Sequence, residues 1–108
     1  MNIQESSDDL VIILTTEINS VIGDSLAEEI LKLKLAACVS IRDVKSYFFW
    51  EGKLEKTNEA QLLIKTREEL LDELIKTINQ LHSYKNPEIL HWKVSASSCY
   101  KEWVEAVT

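Results

Sequence analysis

From Leu10 to Thr16 the chain is an almost unbroken apolar run that ends in two threonines. Such a run predicts a central strand buried on both faces. Asn19 or Ser20 can cap the helix that follows. Ile22, Leu26, Ile30 and Leu33 then recur at helical spacing, so one buried stripe is expected on a helix reaching about Leu35. Gly23 sits in its first turns, where glycine costs about 1 kcal/mol relative to alanine.

The period changes at Ala37. Val39 and Ile41 share one parity, and the apolar positions become mixed beyond Asp43, at Val44, Tyr47, Phe48, Phe49 and Trp50. A strand with a β-bulge near Arg42 and Asp43 is the simplest reading. Glu51, Gly52 and Lys53 supply a turn, and Leu54 to Thr66 returns as a strand with Ala60, Leu62 and Ile64 on one side and Glu59, Gln61 and Lys65 on the other. At about 3.3 Å per residue each arm reaches roughly 40 to 45 Å. A domain of this size has a radius of gyration near 13 Å, so the aromatic tip is expected to project beyond its own core. A projecting row of aromatic side chains calls for contact with another chain, or for a hairpin that curls back on itself.

Thr66 and Glu69 have the spacing of a capping box. Leu70, Leu71, Leu74, Ile75, Ile78 and Leu81 give the helix behind it a buried stripe ending near His82. Ile89 to Val94 alternates as a last strand, and a short helix from Tyr100 to Val107 carries Trp103, Val104 and Val107 on its apolar side, with Trp103 as its core anchor. Strand, helix, strand, strand, helix, strand is the split βαβ order. The expected fold is therefore α+β and ferredoxin-like, a four-stranded antiparallel sheet with both main helices on one face and a long hairpin between its second and third strands. That fold serves many functions and selects none.

Composition narrows the functional classes. The chain has 108 residues, 45% of them hydrophobic, which suits one domain over residues 10–108 behind an acidic tail over residues 1–9. Twelve basic residues against eighteen acidic ones give a formal charge of -6, which argues against a general nucleic-acid binder or an anionic membrane surface. No apolar stretch approaches the roughly 20 residues of a spanning helix. The first residues lack the basic start and apolar core of a signal peptide, so the cytoplasm is the expected compartment. Cys38 and Cys99 have no CxxC or zinc-finger spacing and read as free thiols.

Several segments carry a resemblance. The stretch Leu35-Ala36-Ala37-Cys38-Val39-Ser40-Ile41 looks like the opening of the second strand in the CutA divalent-cation-tolerance proteins. Tyr47, Trp50-Glu51-Gly52-Lys53, Glu59 and Leu62-Leu63-Ile64-Lys65-Thr66 are similar to that family's long hairpin. His82, Tyr84, Pro87, Glu88 and Ile89 resemble its next loop, and Tyr100 and Trp103 fall where its terminal aromatics do. The resemblance covers roughly Leu10 to Val107. It implies a homotrimer assembled through the hairpin and a role in tolerance of divalent metal ions, copper above all. Its trimeric build is similar to that of PII-like signalling proteins, which implies a ligand cleft between subunits. Two positions depart from the family pattern: Ser83 replaces a proline, and Lys85 replaces an acidic residue, bringing a cation three residues from His82.

Three readings of the polar residues stay open. In the first, Cys38, His82 and Glu59 hold a metal ion, since a thiolate and an imidazole suit copper or zinc. The plain alternatives are a packed cysteine, a histidine at a helix C-terminus and a solvated strand face. In the second, Lys65, Tyr84, Glu88 and Trp50 line a subunit cleft for a small anionic ligand. In the third, the tip residues Tyr47, Phe48, Phe49 and Trp50 form a trimer interface and the domain is purely structural. Cys38 with His82 is the sole conceivable nucleophile and base pair, without a third orienting group, and no phosphate loop, dinucleotide fingerprint or HExxH is present. No enzyme activity is expected. His91, opposite in parity to Trp92, is expected to be exposed.

Overall fold

The computed structural model describes residues 10–108; the acidic tail expected over residues 1–9 lies outside the described residues. The elements are β1 (Leu10–Glu17), α1 (Ser20–Lys32), β2 (Cys38–Trp50), β3 (Lys53–Arg67), a 3-10 turn (Glu68–Leu70), α2 (Leu71–Leu81), β4 (Ile89–Val94) and α3 (Ser98–Val107). The sheet order is β2-β3-β1-β4, and every neighbouring pair is antiparallel. This is the ferredoxin-like arrangement. It places the apolar run of β1 beside β3 at the centre of the sheet.

Val11 and Ile13 of β1 pair with Thr66 and Ile64 of β3, and these residues share the face that meets the helices. Leu26, Ala27 and Ile30 of α1 and Leu74 and Ile78 of α2 complete the core. Burying each large aliphatic side chain is worth about 1.5–3 kcal/mol. The stripe of α1 is rotated from the expected one. Ile22 and Leu33 are exposed, and Gly23, Leu26, Ala27 and Ile30 are buried. A Cβ at Gly23 would stand 3.3 Å from the Ala60 Cβ, so glycine lets the helix approach β3 closely. Asn19 caps α1 by accepting from the Ile22 N–H. The helix ends at Lys32, short of Leu35, because Lys34 turns left-handed with φ 59°. The Lys34 and Leu35 amides donate to Leu31 and Ile30, the two bonds of a Schellman motif.

The expected capping box does not form. Thr66 is buried at the end of β3 and donates to the Leu35 carbonyl at 2.8 Å, so a 3-10 turn intervenes before α2. Nor is there a bulge near Arg42 and Asp43: β2 and β3 pair one to one from Cys38 with Lys65 to Trp50 with Lys53. The mixed parity has another cause. Beyond Asp43 the ladder leaves the helices behind, and neither face meets its own core. Glu51 and Gly52 close the tip with φ 51° and 79°, the paired positive angles of a type I′ turn. The described residues extend 54 × 27 × 22 Å, with a radius of gyration of 15.3 Å against about 13 Å for a compact chain of this length.

α3 lies on the sheet face opposite α1 and α2, where Tyr100 shares a groove with Ile12 and Lys65. Only Val104 of its apolar side is buried. Trp103 is 45% exposed and lies against Tyr100, so it is not the anchor expected of it. Val104 performs that role. Leu81 of α2 and His91 of β4 are exposed. Among the described residues no helix is long and apolar enough to cross a membrane.

Candidate functional site

Polar side chains gather at two places, one at each end of the β1–β3 pair. At the first, β1 runs out through Thr15, Thr16 and Glu17, all buried. The Glu17 carboxylate is wholly buried and accepts from the Ile18 N–H at 2.9 Å and the Ser83 N–H at 3.0 Å. His82 caps the C-terminus of α2, its N–H donating to Ile78. Its ring Nε2 lies 2.5 Å from the Thr16 carbonyl, and its Nδ1 accepts from the Tyr84 N–H at 3.0 Å. These partners assign the neutral tautomer with the proton on Nε2. Tyr84 lies beside the His82 ring and donates its hydroxyl to Glu59 at 2.7 Å. Burial, then the hydrogen bond to Glu59 and its charge, then the Glu17 charge push the Tyr84 phenol up to about 12.

Glu59 itself is 8% exposed. It borders an open groove of about 420 Å³ with Asn19 and Ser20 from the start of α1 and Asp43, Val44, Lys45 and Asn58 from the hairpin. The arrangement fixes the loop after α2 against the ends of β1 and β3. Glu17 carries no local signal of burial, because it is enclosed by the loop after α2 returning to the end of β1.

The second place is on the open sheet face. Cys38 and Lys65 are direct cross-strand partners. The Lys65 ammonium donates to Ser40 Oγ at 2.7 Å and lies 3.8 Å from Cys38 Sγ. Tyr100 stands nearby, its phenol pushed up by burial and by Cys38. Cys38 and Cys99 are both free thiols.

The residues expected to act together are spread out. Cys38 is level with Ile12 of β1, through Lys65, and His82 meets Thr16; they are offset by four residues along the strands, roughly 13 Å, and by two strand spacings across the sheet, about 10 Å. Among the described residues no group of three His, Cys, Asp or Glu side chains gathers to hold a metal ion. Both His82 nitrogens are already engaged, Glu59 is bonded to Tyr84, and the ammonium beside Cys38 repels a cation. The donor set therefore does not fit a divalent ion within one chain. Lys65 and Glu59, with Tyr84 on it, are six residues apart along β3, about 20 Å, and Trp50 pairs twelve residues beyond Lys65 at the tip, about 40 Å away. Glu88 is exposed on the loop before β4. The tip leaves Tyr47, Phe48, Phe49, Trp50 and Leu54 exposed, Phe49 to 75%.

Residues 11–107 match the family model of the CutA1 divalent ion tolerance protein. The chain is 38% identical over 100 residues to the divalent-cation tolerance protein CutA of Pectobacterium atrosepticum, covering 91% of each. It is 37% identical over 100 residues to the chloroplastic protein CutA of Arabidopsis thaliana, covering 91% of this chain and 55% of that protein, so it spans about half the length of this plant relative. The solved structure of CutA from Synechococcus elongatus superposes with a TM-score of 0.91 at 33% identity, covering 94% of this chain and 91% of that one. With the fold, the long hairpin and nearly the whole length in agreement, this chain belongs to the CutA1 divalent ion tolerance family.

Proposed function

We propose that this protein acts in divalent-cation tolerance as a homotrimer of the CutA type, through binding and without catalysis. The observation that supports it is the hairpin tip, where Tyr47, Phe48, Phe49, Trp50 and Leu54 stand exposed at the far end of a continuous ladder. A row of that kind is stable in water when a second copy buries it. The metal-holding part of this reading, with copper as the ion, rests on the soft thiol of Cys38 outcompeting the Lys65 ammonium 3.8 Å away, since His82 and Glu59 are engaged within their own chain. A cytoplasmic setting is part of the same proposal and rests on the two free thiols; the Arabidopsis relative is named chloroplastic.

Light scattering at micromolar concentration tests the assembly. A mass of three chains is expected, falling toward one chain when Phe49→Ser and Trp50→Ser are combined; a monomeric parent protein overturns the reading. Anaerobic titration with copper tests the metal part. Saturable binding should be lost in Cys38→Ser and kept in Cys99→Ser, and binding indifferent to Cys38→Ser removes Cys38 as a ligand.

A second reading, in which the assembly takes a small anion, is favoured by one observation. Lys65 is partly buried along its length, and the partners of its ammonium are a hydroxyl and a thiol, with no carboxylate among them.

A further inference from the structure

We propose that His82 is a proton-operated latch on the loop between α2 and β4. With the ring neutral, the loop is pinned to the ends of β1 and β3. A second proton on the ring releases Tyr84 and uncovers the Glu59 carboxylate in the groove beside the start of α1.

The hydrogen bonds of the ring suit its neutral form alone. The His82 side chain is fully buried. Its Nε2–H donates to the Thr16 carbonyl, with the Thr15 hydroxyl 3.3 Å from the same nitrogen. Its Nδ1 accepts from the Tyr84 N–H at 3.0 Å and so carries no proton. A second proton can go only to Nδ1, where it would meet the Tyr84 N–H head on, and one of the two donors must turn away. The ring has an acceptor to turn to. Glu17 Oε2 lies 3.5 Å from Nδ1, equally buried, and holds the Ser83 N–H at 3.0 Å. A carboxylate oxygen has two lone pairs, so it can keep Ser83 and accept the charged ring as well. The Tyr84 N–H is the group left over.

The charged groups that face the ring are acids. Glu17 stands against it from the end of β1, and Glu59 approaches from β3 behind the Tyr84 hydroxyl. The C-terminus of α2, which His82 caps, adds a partial negative charge. Tyr84, its phenol pushed up to about 12, brings no charge of its own. The nearest cation along the chain, Lys85, is exposed. The release carries on from the backbone to the groove. Tyr84 donates its hydroxyl to Glu59 at 2.7 Å, and the phenol ring is rigid, so a backbone that swings off at the N–H draws the hydroxyl away too. Glu59, 8% exposed with the loop in place, then presents a free carboxylate to the groove it borders with Asn19, Ser20 and Asp43. Histidine is the side chain that changes charge between about pH 5 and pH 8, so mild acid operates the latch.

Two readouts on the full chain, taken from about pH 8 to about pH 5, test this. Nitrogen NMR of the imidazole rings follows the proton, and amide hydrogen exchange, corrected for its intrinsic pH dependence, follows the loop. As the His82 ring changes from the Nε2–H form to the doubly protonated form, protection of the Tyr84 amide should fall by about tenfold or more, with the same midpoint. Protection of Ile13 in β1 should not change. His82→Gln offers an amide N–H to Thr16 and an amide oxygen to Tyr84 but has no proton to gain, so its Tyr84 protection should no longer depend on pH. Tyr84→Phe removes the tie to Glu59 and should move the loop transition to higher pH. His91→Gln, which removes the other histidine, exposed on β4, should leave the transition where it is. A doubly protonated His82 with the Tyr84 amide still protected overturns the proposal. So does a ring that stays neutral down to about pH 5, or a loop that opens equally in His82→Gln. The two readouts on the unsubstituted protein decide the matter even where a variant fails to fold.

Discussion

Glu17 ties the loop after α2 to the end of β1 within the strand-end cluster. Its carboxylate is fully buried, and both oxygens accept backbone N–H groups, one from the next residue and one from Ser83. Removing it strands two donors next to the His82 ring. Glu17→Ala should therefore lower the unfolding free energy by about 2–4 kcal/mol in urea titration. Tyr84 makes a different kind of prediction. Its phenol is raised from 10.0 to about 12, so the folded chain keeps a proton that the unfolded chain loses. The associated stability is complete below pH 10 and drains away as the pH climbs to about 12. Tyr84→Phe should flatten that part of the stability profile, measured by thermal unfolding across the alkaline range. Neither role was legible from residue type. His82 and Glu59 drew notice because imidazole and carboxylate can ligate, but their hydrogen bonds depend on how the loop after α2 returns to β1, a contact between residues 66 positions apart.

At the scale of elements the sequence was far more informative, and its misreadings share a cause. Strand and helix order, the asparagine cap of α1 and the long hairpin follow from local pattern and appear in the structure. The bulge near Arg42 and the capping box at Thr66 were local explanations for signals set by distant partners. The parity of β2 breaks because the helices stop covering it, and Thr66 turns inward to the Leu35 carbonyl. In the same way the apolar side of α3 offers Trp103, Val104 and Val107 alike to the core, and it is Val104 that fills the space under the helix. The end of α1 offers an element-scale test. Lys34 adopts φ 59° at the position where Schellman motifs prefer glycine. Lys34→Gly should raise stability by about 1 kcal/mol, read as a higher urea midpoint at unchanged m-value.

For the whole molecule, shape is the strongest observation. The body is 54 Å long and carries exposed aromatic side chains on its projecting arm, so the proposed assembly would add to its stability. Its thermal midpoint should accordingly rise with protein concentration, as mass action requires, and a midpoint constant over a hundredfold range of about 1 to 100 μM would mean that assembly contributes nothing. The hairpin also orders events in time. Its ladder closes from a two-residue turn, and such hairpins zip in about 1–10 μs. β1 must instead wait for β4, pairing Leu10 with Val94 near the other end of the chain. Under the proposed assembly the arm is expected to form before the core that carries it, which would open each new chain to capture by another copy before its own sheet is complete.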